Sequence, residues 1–400
     1  MSESESETTR IDLPRDGLPD LIDSARGLQR AAQKLADGHG PVAIDAERAS
    51  GFRFSQRAYL VQLRRAGSGT FLIDPIEFVD LAEIQKAIED VDWILHAASQ
   101  DLICLAEVGL QPKTNLFDTE VAGRLLGLPK VGLGTLTESH LGISLAKEHS
   151  AADWSTRPLP DEWLAYAALD VEFLIELWDL LSAQLEQEAK MPWAIQEFEH
   201  IKNNTFPSTK PDPWRKTSGI HKLKDARQVG IAQQLWEARL EIAKRTDIAS
   251  GRILNDAHIV EISSSPDWES ALKLPFMKLR GVRKYLDTWS FAFQQGMALP
   301  DQQLPDLKLK HEGPPNARNW QSRHPDAWAK LEATKLEIGK KAEELKLPVE
   351  NLITPEVIRR VIWAKPNNLE DISLIFEEFR VRPWQKEFVQ PILRQVLEIS

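Results

Sequence analysis

The sequence predicts an α/β layer domain with a mixed sheet, followed by two all-helical blocks. Three observations predict it. Apolar runs of strand length crowd the first hundred residues and then alternate with helical patterns up to about residue 200. Two polar, proline-bearing stretches, "NNTFPSTKPDP" and "LPDQQLPDLKLKHEGPPNARN", interrupt the chain beyond that point. Between and after them each segment has helical period, and no strand pattern is convincing.

Residues 1–20 open on "MSESESETTR" and read as a flexible acidic tail. Residues 21–38 carry a helical pattern with Leu21, Ile22, Leu28, Ala32 and Leu35 as its apolar positions. "PVAIDAE" reads as a strand, and "AYLVQLRRA" and "GTFLIDP" as two more joined by a hairpin at "GSG". Leu81 to Ile88 reads as a helix, "DWILHAA" as a short apolar strand, and "SQDLICLAEVG" as a helix with Ser99 at its N-cap. "NLFDTEVAGRLLG" is a strand running into a helix. "LPDEWLAYAALDVEFLIELWDLLSAQLEQE" is one long amphipathic helix or two in tandem. The two carboxy-terminal blocks share a similar length and order of elements, as two copies of one small helical domain would.

Composition sets bounds. Hydrophobic residues make up 42 %, enough to bury real cores. Cys104 is the single cysteine, so neither an intramolecular disulfide nor a cysteine-based zinc site is available. A cytoplasmic setting is expected, since no apolar leader follows the start and no apolar run reaches the roughly 18 residues of a membrane span. The net charge of −11 argues against a simple nucleic-acid coat. An enzyme acting on nucleic acid fits it, because such enzymes gather acids at a metal site and bases in local patches. One patch stands out: Ser208–Arg252 holds ten Lys and Arg against five acids.

The acids carry the chemistry. Asp45 and Glu47 end the strand "PVAIDAE" two residues apart, and strand residues so spaced share a face. Two carboxylates aimed at one buried spot call for a counter-charge. Asp101 stands at a helix start just after the strand "DWILHAA", where α/β sheets carry ligands. Tyr166 and Asp170 lie four apart on one helix face. Asp153 is a weaker candidate just before that helix. Together they make a cage for two divalent ions, Mg²⁺ or Mn²⁺, that could clamp a phosphodiester displacement.

At this point the residues reach a resemblance. "VAIDAE", "LHAASQDL" and "YAALDV", in that order, resemble the three motifs of the DEDD superfamily of 3′–5′ exonucleases in its tyrosine-bearing branch. "AYLVQL", "FLIDP", "LFDTEVAGRLLG", "GLGTL" and "DWSTRPL" are similar to stretches of the ribonuclease D family. The two helical blocks resemble the HRDC domain, the second less closely than the first. The family usually has a proline where this chain has Ala249.

The resemblance implies a ribonuclease H-like exonuclease domain at 21–202, a linker at 203–213, a first HRDC domain at 214–299, a linker at 300–317 and a second, divergent HRDC-like domain at 318–400. It implies metal ligands at Asp45, Glu47, Asp101 and Asp170, and a water-positioning hydroxyl at Tyr166. It implies hydrolysis of RNA from a free 3′-OH to nucleoside 5′-monophosphates, with tRNA precursors and other structured RNA as partners. Nucleic-acid contacts are expected at Lys216, Lys222, Lys224, Arg227, Lys244, Arg245 and Arg252, with Trp154 stacking on a base at the pocket rim. A monomer is expected. Two rival readings are a DNA-directed 3′–5′ exonuclease in repair and an inactive RNA-binding scaffold. His96 is expected to be a hydrogen-bonded core histidine, and His140 and His149 show no ligand spacing for zinc.

Overall fold

The computed structural model describes residues 8–145, 151–204, 211–307 and 313–399. Lys210 of the basic stretch, His149 and residues 1–7 of the expected tail lie outside the described residues.

The strands are β1 (Thr9–Ile11), β2 (Leu21–Ile22), β3 (His39–Arg48), β4 (Ala58–Ala66), β5 (Gly69–Ile73), β6 (Trp93–Leu95), β7 (Leu116–Asp118) and β8 (Ile143–Leu145). Six of them form one sheet in the order β2-β5-β4-β3-β6-β7. β4 runs antiparallel to β3 and β5, while β6 and β7 run parallel to β3, so the sheet is mixed as the sequence predicts. β3 lies inside the sheet, and its Val42, Ala43 and Ile44 are fully buried. The hairpin turn falls at Gly67–Ser68. Gly67 has φ +80°, a conformation that glycine adopts without a Cβ penalty.

Helices α1 (Ala25–Asp37), α2 (Ala82–Ala87) and α3 (Leu102–Glu107) cover one face of the sheet, packing Leu28, Leu35, Ile84 and Leu105 with Val42, Val61 and Trp93. Helices α4 (Thr119–Leu125), α5 (Leu133–Leu141), α6 (Asp161–Glu172), α7 (Leu174–Gln187) and α8 (Met191–Asn204) complete the domain. The long helical pattern is thus two helices in tandem, parted at Phe173. Ser99 is not an N-cap: it sits inside a 3-10 turn, Ala98–Gln100, and α3 begins after Asp101.

The expected tail is corrected from Thr9 onward. β1 pairs in parallel with β8. Arg15 reaches the fully buried Glu172 at 2.7 Å, and Arg64 meets the same carboxylate at 3.1 Å. A buried carboxylate needs such partners. Arg15 and Glu172 lie 157 residues apart along the chain, so local composition carries no trace of the pair.

The first helical block holds α9 (Ala226–Thr246), α10 (Ser250–Ile253), α11 (Asp256–Ser263), α12 (Trp268–Leu272), α13 (Arg280–Arg283) and α14 (Leu286–Ala298) around Leu235, Ile259 and Trp289. The second holds α15 (Trp320–Arg323), α16 (Pro325–Glu344), α17 (Val349–Leu352), α18 (Pro355–Ala364), α19 (Leu369–Glu378) and α20 (Pro383–Leu397). Both run from a long helix through a left-handed residue, Asp247 or Lys346, into a four-residue helix.

The blocks attach differently. The second shares an apolar cluster with the α/β layers, in which Leu177 and Phe198 join Ile358, Phe376 and Leu393. Trp384 stacks on Trp193 with ring centroids 5.1 Å apart and donates to Glu197 at 2.8 Å. The first touches the loop after β3 and the start of β4, where Asp247 accepts from the Ser55 N–H at 2.7 Å and the Tyr59 hydroxyl at 3.1 Å. At Gly127, with φ +71°, an added Cβ would meet the Lys346 carbonyl oxygen at 2.2 Å. Gly127→Ala should therefore loosen the second block and lower stability by about 1–3 kcal/mol, read as a fall in the urea midpoint.

Candidate active site

The sheet delivers the first two acids. Asp45 pairs with Gln62 and Glu47 with Leu60 across the β3–β4 ladder, so both carboxylates rise on one face. The register then shifts between Glu47 and Arg48, where the strand bends away from regular pairing. α6 packs over that face and presents Tyr166 and Asp170 to the same spot.

Asp101 arrives by a tighter route. β6 ends at Leu95, and Ala97 takes a left-handed conformation at φ 55°. The Ala97 and Ala98 N–H groups donate to the buried carboxylate of Asp118 at 3.1 and 2.8 Å. Asp118 also accepts from the N–H groups of Glu120 and Val121, capping α4. One side chain thus fixes both the turn that presents Asp101 and the start of a helix. Burial pushes its pKa up to about 6. Sequence reasoning did not assign Asp118 a role. The signal was there: an Asp before "TEV" at a helix start is an N-cap pattern.

The result is a cavity of about 340 Å³ lined by Asp45, Glu47, Arg48, Ser50, His96, Gln100, Asp101, Tyr166 and Asp170, among others. Carboxylate oxygens of Asp45, Glu47 and Asp170 lie within 4.8 Å of one another. The Asp101 and Asp45 side chains share a hydrogen bond, and the Tyr166 hydroxyl donates to Asp170. Burial is the first cause that raises the proton affinity of all four acids. Like charge is the next for three: Asp45 acts on Glu47, Asp101 and Asp170, which are held well above the ordinary carboxylate range. Arg48 eases Asp45, Glu47 and Asp101. Burial, then Asp170, pushes the Tyr166 phenol upward. An all-oxygen donor set with this much uncompensated charge fits hard divalent cations.

Other expected residues fall elsewhere. Trp154 is corrected: it is fully buried, with ring centroids 5.3 Å from Trp163 and 6.5 Å from Tyr166. It offers no face to a base and instead packs behind Tyr166. Asp153 accepts from Ser155, which in turn takes a bond from Arg53 at 2.8 Å, so it stands outside the acid cluster. Arg157 clamps that segment to Asp74 at 2.6 and 2.7 Å. His96 faces Thr119 Oγ1 at 2.9 Å, and burial lowers its pKa to about 4.

The expected cations divide. Lys216, Lys222, Lys224 and Arg245 are exposed on the first helical block, where Lys244 pairs with Glu241 at 2.9 Å while half-exposed. Arg227 is corrected to a structural role. It donates to the carbonyls of Met297 and Leu299 and pairs with Asp301, closing the end of α14. Arg252 donates to the Gly51 carbonyl at 2.6 Å and lies over the Phe52 ring, in the seam beside the pocket.

A second basic run went unassigned in the sequence. Lys273, Lys278, Arg280, Arg283 and Lys284 are exposed, with no acid from Ser270 to Leu286. It adjoins Arg252, whose carbonyl lies 4.0 Å from a Cβ built at Gly281. The run is local and therefore readable; it begins beyond the Ser208–Arg252 patch.

Comparisons with known proteins match the three parts of the chain in turn. A family described as 3'-5' exonuclease matches residues 19–186, one described as HRDC domain matches 228–290, and one described as 3' to 5' exonuclease C-terminal domain matches 313–397. Ribonuclease D of Gluconacetobacter diazotrophicus is 31% identical over 316 residues, covering 74% of this chain and 77% of that protein. Ribonuclease D of Jannaschia sp. is 30% identical over 279 residues, covering 67% and 72%. A solved protein from Bifidobacterium adolescentis is 34% identical with a TM-score of 0.89, covering 98% of this chain and 100% of that one. Escherichia coli RNase D shares the fold at a TM-score of 0.71 and 22% identity, covering 95% and 98%.

Raised carboxyls fix the sign of a pH effect. Stability they contribute is full below the ordinary carboxylate range and is lost as pH rises through their raised values. A cation competes with the same protons. Mg²⁺ binding should therefore release protons, and apparent affinity should rise with pH. Calorimetry in buffers of different ionisation enthalpy checks this; a binding heat independent of buffer is the contrary result.

Proposed function

This chain belongs to the ribonuclease D family, and from that membership we propose how it works. It is a 3′–5′ exoribonuclease that hydrolyses RNA from a free 3′-OH to nucleoside 5′-monophosphates in the acidic pocket. The convergence of Asp45, Glu47 and Asp170, with Asp101 bonded to Asp45, is the observation that carries the reading. These four side chains would hold two divalent ions, Mg²⁺ or Mn²⁺. When bound, such a pair supplies an activated water and takes up charge on the leaving 3′ oxygen.

The protein's own groups do the rest. Tyr166 stays protonated, because burial and Asp170 push its phenol upward. Its hydroxyl can therefore bond and orient the attacking water from above Asp170. Trp154 and the segment clamped by Arg157 keep that ring from turning away. No covalent intermediate is needed.

The E. coli relative is described as an exoribonuclease involved in structured RNA processing. We propose the same substrate class here, tRNA precursors with a 3′ trailer above all. The run Lys273–Lys284, with Lys216, Lys222, Lys224 and Arg245, would meet phosphates of the RNA body without sequence choice. The proposed form is a monomer, with boundaries at the linkers 203–213 and 300–317. The cytoplasm is the proposed compartment; no helix among the described residues is long and apolar enough to cross a membrane.

The deciding assay uses a 5′-labelled tRNA precursor with Mg²⁺, beside a copy with a blocked 3′ end and a DNA of like sequence. Stepwise shortening of the free-ended RNA alone is expected. Faster cutting of DNA would favour the repair reading, and binding without cutting the scaffold. Asp45→Asn should keep its circular dichroism and lose about a thousandfold in rate. Tyr166→Phe should lose about a hundredfold. A near-native rate for Asp45→Asn would sink the two-ion assignment.

Joint replacement of Arg280 and Arg283 by Ala should act on long RNA only. Its salt dependence should flatten by up to about two units of slope, one for each phosphate no longer neutralised. Turnover of a dinucleotide should not change. Equal losses on both substrates would place these side chains in another role.

A further inference from the structure

Gln62 sits in the middle of β4 with no exposed surface. Neither its Nε2 nor its Oε1 has a hydrogen-bond partner among the described residues. Its neighbours on the same face of the strand are accommodated: Leu60 is apolar and lies in the cluster beneath α6, and Arg64 pairs with Glu172. A buried amide without partners is costly, and an apolar side chain of that length would avoid the cost. The amide is therefore a polar group whose partner must be sought nearby.

Its position says what. Gln62 is the direct cross-strand partner of Asp45. Such pairs share a face, with Cβ atoms about 5 Å apart, within reach of a glutamine amide. In the present arrangement Asp45 bonds to the Asp101 side chain and to the Ala46 N–H.

We infer that Gln62 is a positioning residue for Asp45, donating its Nε2–H to that carboxylate when the acids hold divalent ions. A ligating carboxylate turns one oxygen to the cation and leaves acceptor capacity on the other. A donor fixed on a rigid strand holds that second oxygen and so sets the plane of the carboxyl. Outer partners of this kind commonly govern metal affinity by ten- to a hundredfold. The inference rests on the two-ion reading of the pocket.

The test replaces the amide by shape-matched apolar groups, Gln62→Met and Gln62→Leu. Mn²⁺ binding is measured by the resonance signal of the free ion, and thermal midpoints are taken with and without Mn²⁺. Without Mn²⁺ both variants should melt at or above the wild-type temperature, because an unpartnered amide has been removed. With Mn²⁺ they should bind about tenfold more weakly and gain less in midpoint. A purely structural glutamine would do the reverse, lowering the metal-free midpoint and leaving the affinity alone; that result overturns the inference. So does a folded variant binding Mn²⁺ within twofold of wild type. If the wild-type protein itself binds no Mn²⁺, the two-ion reading falls first, and that outcome is distinct from equal binding by both proteins.

Discussion

Four carboxylates must stand within a few ångströms of one another in one pocket, and the amino-terminal half of the chain is built around that constraint. Two unit charges 4 Å apart repel by on the order of 4 kcal/mol at an effective dielectric near 20. Left on loops, the acids would splay. None is on a free loop. Asp45 and Glu47 belong to a strand that is paired on both sides, Asp101 to a turn held down by Asp118, and Asp170 to a helix packed on the sheet. The proton affinities reflect this crowding, since burial raises all four acids and repulsion by Asp45 adds to it at Glu47, Asp101 and Asp170.

The same constraint explains the clamps at the pocket edge. The loop after β3 leaves the sheet directly beyond Glu47 and would be the first part to move. It is tied at several points, by Arg53 to Ser155, by Ser55 to Asp247 of the first helical block, and at Gly51 and Phe52 by Arg252 and the Ala249 N–H. The helical blocks are therefore not beads on a string. One holds the loop that follows the strand of Asp45 and Glu47, and the other completes an apolar core with α7 and α8. Sheet, loop and both blocks form one connected packing arrangement around the acids.

Legibility in the sequence follows the range of the interaction. Asp45, Glu47, Tyr166 and Asp170 were readable because strand and helix periods place them on shared faces within a few residues. The hairpin at Gly67 and the break into helical blocks were local as well. What the sequence hid depends on partners far along the chain. Arg15 looked like part of a tail because its carboxylate is Glu172. Arg227 looked like a phosphate contact because the carbonyls it closes belong to Met297 and Leu299. Trp154 looked like a rim aromatic because burial by Trp163 and Tyr166 appears only in three dimensions. Gln62 is the extreme case, an ordinary strand residue until its cross-strand partner is known.

The charge distribution bears on how an acidic protein can take a polyanion as substrate. A net charge of −11 repels RNA at long range, but at physiological salt that field fades over ~8 Å. What matters is the charge met at close range. The cations of Lys273–Lys284 have no acid within their run, and they adjoin Arg252 and the loop at Gly51 that leads to Ser50 in the pocket wall. A strand end laid along this path would pass from uncompensated positive charge to uncompensated negative charge within a few nucleotides. The second field repels phosphate as the first attracts it, unless divalent ions reverse its sign. In the proposed two-ion form the ions would then do more than chemistry, since they would also remove the field that opposes the 3′ end of the strand.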